Sequence, residues 1–349
     1  MIAAAVSLPG QLAARHLGEF PGRAPLLVDC PDPGLAEALN TRNGATPALT
    51  IQRDRALWKD FRDAGLAAAF SASLEPPEPR RDGALVFLPK GRELTAMTLE
   101  QVAGALDPGA TVWLVGANTA GIRSADADLE RWIGPVTRTE TARHCALLEA
   151  RHTVAAAPLR QLANHAVRFP IKAPGRDLTA VSLPGVFSHG SVDDGTRLLL
   201  STLTPGLTGR ILDFGCGCGI VGAVIQSSSP EAVLTHLDAS ALALEATRMT
   251  LAANTLPVDR VIASDGLDEA EGPFEFIVSN PPFHTGTETD RGIAERFVKA
   301  APGSLARGGR LRVVANTFLR YRPLMEEAFK AVRVVAADDR YQVLEARKK

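Results

Sequence analysis

Short apolar runs alternate with Ala- and Leu-rich stretches along the whole chain, and this alternation predicts strands and helices in turn. In the second half, strands are predicted at 210–214, 233–237, 260–263, 274–279, 310–315, 332–336 and 341–346. Helices fill the intervals. Over 240–254, for example, Leu242, Ala246, Met249 and Ala253 recur at helical spacing. Strand and helix in alternation predict an α/β fold of mostly parallel, doubly wound sheets. The stretch 167–185, which carries Pro170, Pro174, Gly175, Pro184 and Gly185, reads as a linker, so the expected domains are 1–165 and 166–349.

The first half reads as a worn copy of the second. Leu26-Leu27-Val28-Asp29 parallels Arg210-Ile211-Leu212-Asp213, so Asp29 is matched with Asp213. Likewise Pro89, after Ala84-Leu85-Val86-Phe87-Leu88, is matched with Pro281, and Asn118 with Asn316. In the copy, Pro31 and Pro33 stand in the turn where the second half has glycines. Proline has a fixed φ and no N–H to donate, so a backbone cradle cannot form there. The first domain is expected to be fold without chemistry.

Composition narrows the class. At 349 residues, 46% hydrophobic and 22% charged, the chain suits two globular domains and argues against wholesale disorder. The apolar runs are far shorter than the ~20 residues that cross a bilayer. The first residues lack the basic start and long apolar core of a signal peptide. Cys30, Cys145, Cys216 and Cys218 are too scattered for a disulfide framework and lack paired zinc spacing, so the expected compartment is the reducing cytoplasm and no metal is expected. Charge balances overall, 38 basic against 39 acidic, but unevenly. Residues 171–290 carry 6 basic and 15 acidic side chains, and residues 291–349 carry 14 and 6. Such a basic end can hold phosphates while the rest repels them, with Arg291, Arg296, Lys299, Arg307, Arg320 and Arg322 as candidates.

Chemistry concentrates at the ends of the predicted strands. Asp213-Phe214-Gly215-Cys216-Gly217-Cys218-Gly219 closes a strand and opens an apolar helix. Gly215, Gly217 and Gly219 allow positive φ and close backbone approach to a ligand. Asp238, at the end of the next strand, is spaced to accept both hydroxyls of a ribose. Gly217 through Gly222 also satisfies G-x-G-x-x-G, which leaves a nicotinamide dinucleotide open. Asp213 favours instead a cationic aminoacyl sulfonium ligand, since a carboxylate there repels a pyrophosphate. Asp265, after the following strand, is positioned to accept from an adenine amine.

Asn280-Pro281-Pro282-Phe283 is the most specific element. A conjugated amine attacks a methyl group only when acceptors hold its protons and turn its lone pair toward the methyl. The Asn280 side-chain oxygen and the Pro281 carbonyl supply two acceptors, Pro282 stiffens the turn, and Phe283 stacks on a planar substrate. No strong base is needed, and the work is mostly positioning.

These residues resemble those of class I S-adenosylmethionine-dependent N-methyltransferases with an N-P-P-F motif. More closely, 183–188, Asp193, Gly195, 198–203, Asn280 through His284 and 314–316 resemble the bacterial ribosomal RNA guanine-N2 methyltransferases of the RsmC type, and 115–125 with 142–145 resemble that family's first domain. The resemblance implies two tandem Rossmann-like methyltransferase folds, the first degenerate. It implies methyl transfer from S-adenosylmethionine to the N2 amine of a guanine in small-subunit ribosomal RNA, naked or within a subunit; the sequence leaves the oligomeric state open, with a monomer favoured. It also implies that Phe187, Gly195 and Thr196, with Asp193, form a lead-in over the methionine end of the cofactor, although Asp193 or Asp194 equally reads as a helix cap. Large-subunit guanine, a protein glutamine or an adenine amine remain alternative targets, and a silent RNA-binding assembly factor remains an alternative of another class. Cys216 and Cys218 read as small fillers, His284 as a solvated loop residue, and Trp58, Trp113 and Trp132 as core.

Overall fold

The alternation resolves into two seven-stranded sheets, one in each half of the chain. The computed structural model describes residues 7–43, 46–75, 79–154, 161–173, 175–258, 260–281, 288–319 and 321–349. The chain divides into two compact units, Met1–His165 and Ala166–Lys349. In the first, the strands are β1 (Pro25–Val28), β2 (Leu49–Gln52), β3 (Ala69–Phe70), β4 (Arg81–Phe87), β5 (Leu106–Ala117), β6 (Val136–Ala142) and β7 (Cys145–Arg151). The helices between and before them are α1 (Leu8–His16), α2 (Pro33–Asn43), α3 (Arg55–Asp63), α4 (Arg92–Ala105) and α5 (Asp126–Trp132).

The second unit opens with a hairpin, β8 (Val167–Ala173) and β9 (Arg176–Ser182), followed by α6 (Asp194–Ser201). Its sheet comprises β10 (Gly209–Phe214), β11 (Ala232–Asp238), β12 (Val261–Ala263), β13 (Phe274–Ser279), β14 (Leu305–Asn316), β15 (Val332–Ala337) and β16 (Tyr341–Arg347). All seven strands predicted there are present. Helices α7 (Ile220–Ser228), α8 (Ala241–Ala253), α9 (Glu288–Ser304) and α10 (Tyr321–Ala328) lie between them. Ser240 caps α8 through its side chain, accepting from the Ala243 N–H. Among the described residues no helix is long and apolar enough to cross a membrane.

The stretch expected to be a linker is a β-hairpin instead. Its strand signal is the alternating burial of Phe169 and Ile171 in β8, which the prolines mask in the sequence. The hairpin docks through β9 on α8. Asn254 Oδ1 accepts from Thr179 N at 2.9 Å, and Thr250 Oγ1 accepts from Val181 N at 2.9 Å. Side chains thus satisfy backbone groups that an edge strand leaves open.

The first sheet runs β3-β2-β1-β4-β5-β7-β6 and the second β12-β11-β10-β13-β14-β16-β15, the same order, with β7 and β16 each antiparallel to both neighbours. Each sheet is covered by apolar clusters on its two faces. Even the irregularity is copied. The β4–β5 register shifts between Arg81 and Gly83, and the β13–β14 register between Phe274 and Phe276. These shifts correct the residue matching by one or two positions. Leu27, not Asp29, is the counterpart of Asp213; Asp29 matches Gly215, Leu88 matches Pro281, and Ala117 matches Asn316. An independent contact agrees with this register: Ala24 N donates to Asp82 Oδ1, as Arg210 N donates to Glu275 Oε2.

Candidate active site

The strand order reverses between β10 and β13, and in an open α/β sheet ligands usually occupy the crevice outside the carboxyl ends at such a switch point. Gly215, Gly217 and Gly219 turn the chain there with φ of 67°, 57° and 78°. The N–H groups of Gly215 and Cys216 both donate to Leu237 O, at 2.8 and 2.9 Å, and Thr247 Oγ1 donates to Gly217 O at 2.9 Å. A Cβ at Gly215 or Gly217 would meet nothing within 4 Å, so both face open space that a ligand can occupy. Gly219 differs: a Cβ there would come within 3.0 Å of Thr247, so this glycine serves helix packing.

Asp238 closes one side of the cradle. Its Oδ2 accepts from Gly217 N at 2.9 Å and its Oδ1 from Ser240 N at 2.9 Å. Burial pushes this carboxyl up from its ordinary value, and the Ser240 and Gly217 N–H groups pull it partly back. Asp265 follows β12, half-buried, one residue before the positive-φ Gly266. The open glycine backbone with two carboxylates at successive strand ends fits S-adenosylmethionine.

Asp213 is only 2% exposed and works inside the protein. Its Oδ2 accepts from Gly222 N at 3.0 Å and lies 3.6 Å from His236 Nδ1. A Cβ on Gly222 would fall 2.0 Å from His236 Cε1, so only glycine lets α7 lie this close to β11. Asp213 therefore ties the first turn of α7 to the strand beneath it. Sequence reasoning missed His236, whose place became visible only when β10 and β11 paired Asp213 with it.

On the neighbouring strand, Ser279 pairs with Phe214, and its Oγ donates to Phe214 O at 2.8 Å. Gly215 and Asn280 consequently leave the sheet side by side. The Asn280 amide nitrogen donates to Thr196 Oγ1 at 2.8 Å and toward Asp193 Oδ2 at 3.4 Å. Asp193 is fixed in turn: it caps α6 by accepting from Thr196 N, and Ser188 Oγ donates to it at 3.2 Å. With its nitrogen so engaged, Asn280 is oriented with Oδ1 as its acceptor.

The other expected residues divide. Thr196 lies against Asn280, as above. Gly195 lies under the Tyr341 ring, 3.1 Å from where its Cβ would stand, so its smallness seats α6 on β16. Phe187 is 46% exposed in the lead-in. Pro281 is buried at the end of β13, while Pro282, Phe283, His284 and Arg320 lie outside the described residues. Trp113 is fully buried as expected, whereas Trp58 and Trp132 are half-buried beneath Arg55 and Arg131. Arg322 pairs with Glu326 and Lys299 with Glu295. Phe318, which the sequence did not flag, stands 77% exposed just beyond β14 on the crevice side of the sheet.

All four cysteines are buried free thiols. Burial raises Cys216 well above the ordinary thiol range and pushes Cys218 up to about 12. Since only the thiolate reacts, iodoacetamide at pH 8 is expected to alkylate the native protein about a hundredfold more slowly than the urea-unfolded chain. Fast labelling of Cys216 or Cys218 in the native state would contradict their role as fillers. Among the described residues no group of three His, Cys, Asp or Glu could hold a metal ion.

The first unit has the same turn without the same space. Asp29 takes the left-handed φ of 51° that Gly215 takes in the second. Pro31 and Pro33 follow where Gly217 and Gly219 would stand. Gln52 replaces Asp238 and, fully buried, donates to Cys30 O at 2.7 Å. Next to it Arg53, 5% exposed, reaches Asp29 Oδ2 at 3.2 Å and Thr98 Oγ1 at 2.7 Å. Phe87 stands at the position of Asn280. An ion pair and a buried amide thus occupy the end of the sheet that is open in the second unit.

The sequence matches the methyltransferase small domain at residues 177–345 and the N-terminal methyltransferase small domain at 10–165. The ribosomal RNA small subunit methyltransferase C of Pseudomonas entomophila is 43% identical over 77% of this chain and 80% of its own length. That of Pseudomonas aeruginosa is 44% identical over 76% and 79%. Among solved structures, the T. thermophilus 16S rRNA N2 methyltransferase (RsmC), in complex with AdoMet and guanosine, superposes with a TM-score of 0.81 over 93% of this chain and 88% of that one, at 26% identity. On the extent and level of these matches, the chain belongs to the ribosomal RNA small subunit methyltransferase C family.

Proposed function

We propose that the second unit transfers a methyl group from S-adenosylmethionine to the N2 amine of a guanine in small-subunit ribosomal RNA, in the cytoplasm, and that the first unit binds no cofactor. The observation that carries this reading is the oriented Asn280 amide beside an open glycine cradle. Its support is the family and the solved relative that holds AdoMet and guanosine.

When bound, S-adenosylmethionine supplies a methyl group made electrophilic by its sulfonium. The open backbone face at Gly215 and Gly217 and the Asp238 and Asp265 carboxylates would hold it. Asn280 Oδ1 and the Pro281 carbonyl accept the hydrogens of the guanine amine, which turns its lone pair away from the ring. Thr196 and Asp193 keep the Asn280 amide from flipping and presenting a donor to that amine. As the methyl's bond to sulfur gives way to the new N–C bond, with its electron pair left on the thioether, the amine nitrogen would become acidic and lose its proton to water. Positioning of this kind is worth ~7–11 kcal/mol when the reacting atoms are held near attack geometry. Phe318 offers an exposed aromatic face to an unstacked base.

Nucleoside digests of ribosomal RNA methylated by the protein are expected to contain N2-methylguanosine. Recovery of N6-methyladenosine, or label only in protein, would overturn the substrate and leave the cofactor. Calorimetry is expected to find one S-adenosylmethionine site per chain. Asp238→Ala removes the acceptor of the Gly217 and Ser240 N–H groups and is expected to weaken that binding by about 1–3 kcal/mol. Two equivalent sites would refute the inactive first unit.

A further inference from the structure

A second cleft lies at the opposite end of the catalytic sheet's strands, where β10, β13 and β14 begin. It encloses about 380 Å³ and is lined by Arg307, Arg310 and Arg347 around Phe276, Gly308 and a single carboxylate, Glu275. The strands separating it from the crevice are about six residues long, or ~20 Å at ~3.3 Å per residue. It is therefore distinct from the methyl-transfer site.

The arginines are arranged to offer their guanidinium groups. Arg347 Nε donates to Gly308 O at 2.9 Å, which fixes that head at the wall. Arg310 lies over the Phe276 ring at 5.1 Å, backed by its π face. Its nearest carboxylate, Glu345, is 3.8 Å away and already takes closer bonds from Arg312 and Arg333. Arg307 is exposed and makes no ion pair or hydrogen bond with a described residue. Glu275 meanwhile spends its Oε2 on Arg210 N. Three guanidinium groups thus line a cleft that holds one carboxylate, so positive charge is in excess there.

The first unit supplies an internal comparison. There Thr111 pairs with Arg151 in the register in which Arg310 pairs with Arg347. Counting along the equally long start of β5 puts Pro108 at the position of Arg307, and Gly83 stands for Phe276. The shared fold thus requires neither the two additional arginines nor the aromatic backing, and only the catalytic unit carries them.

We propose that this cleft is a phosphate-binding site, and that its phosphates come from the ribosomal RNA backbone away from the methylated guanine. Planar guanidinium groups bind phosphate oxygens in pairs, which suits three arginines around one cleft. The RNA source rests on the function proposed above; the phosphate chemistry does not.

The test uses the full chain, Arg307→Ala, and Arg307→Ala/Arg347→Ala, with deproteinised small-subunit ribosomal RNA and inorganic pyrophosphate as probes. Arg307→Ala removes no internal bond, so misfolding cannot account for its effect. RNA affinity at 150 mM salt is expected to fall about fivefold or more in the double variant. Its salt slope is expected to flatten by ~0.7–0.9 for each phosphate that is no longer neutralised, with S-adenosylmethionine affinity unchanged. Arg307→Lys is expected to restore the slope. Pyrophosphate binding that the variants abolish, with RNA affinity unchanged, would support the site and assign it to a free polyphosphate. Unchanged RNA affinity without pyrophosphate binding, or a fall in affinity with no change in slope, would overturn the proposal.

Discussion

Asn280→Ala is expected to lower methyl transfer by about two orders of magnitude or more while S-adenosylmethionine affinity stays within about threefold. The side chain is oriented by Thr196 and Asp193 and accepts from the substrate amine, so its removal falls on the reaction and spares the cradle. Thr196→Val keeps the shape and deletes the hydroxyl that accepts from Asn280 Nδ2. It is expected to lower kcat less than Asn280→Ala does, and Thr196→Ser is expected to recover most of the activity. Single-turnover kinetics with cofactor affinity measured separately decide the matter. If Asn280→Ala reduces binding and turnover alike, the residue belongs to the cofactor site.

Arg53→Ala is expected to destabilise the first unit by about 3–5 kcal/mol, because it leaves the mostly buried Asp29 carboxylate without its counter-charge, held only by the backbone N–H of residue 53. Denaturant unfolding of the full chain should show an earlier transition. At denaturant concentrations below it, S-adenosylmethionine should bind as in the unaltered protein. The double variant Arg53→Met/Asp29→Asn removes both charges and keeps a residue tolerant of the left-handed φ of 51°, so part of the stability should return. A normal transition for Arg53→Ala would mean that the pair does not hold the closed turn together.

The strands of the catalytic sheet were legible in the amino-acid order alone, because each is a short aliphatic run bounded by turn residues, and period and punctuation are local properties. So was the place of the candidate site: the glycines after β10, Asp238 at the end of β11 and Asn280 after β13 all sit where strands end, and strand ends can be read in one dimension. How these residues are used emerged only from the folded arrangement. Asp213 faces His236 and Gly222 because β10 and β11 pair in one register, and pairing register is a relation between distant segments. Thr196 reaches Asn280 across 84 residues of chain, and no spacing rule connects a helix start to a strand end on the far side of a sheet. In the first unit the two prolines were read as denying a backbone cradle, and Gln52 and Arg53 became visible beside that turn only once β2 was seen next to β1. Local conformation is written in neighbouring residues. Which side chain fills a space depends on packing between strands far apart in the chain.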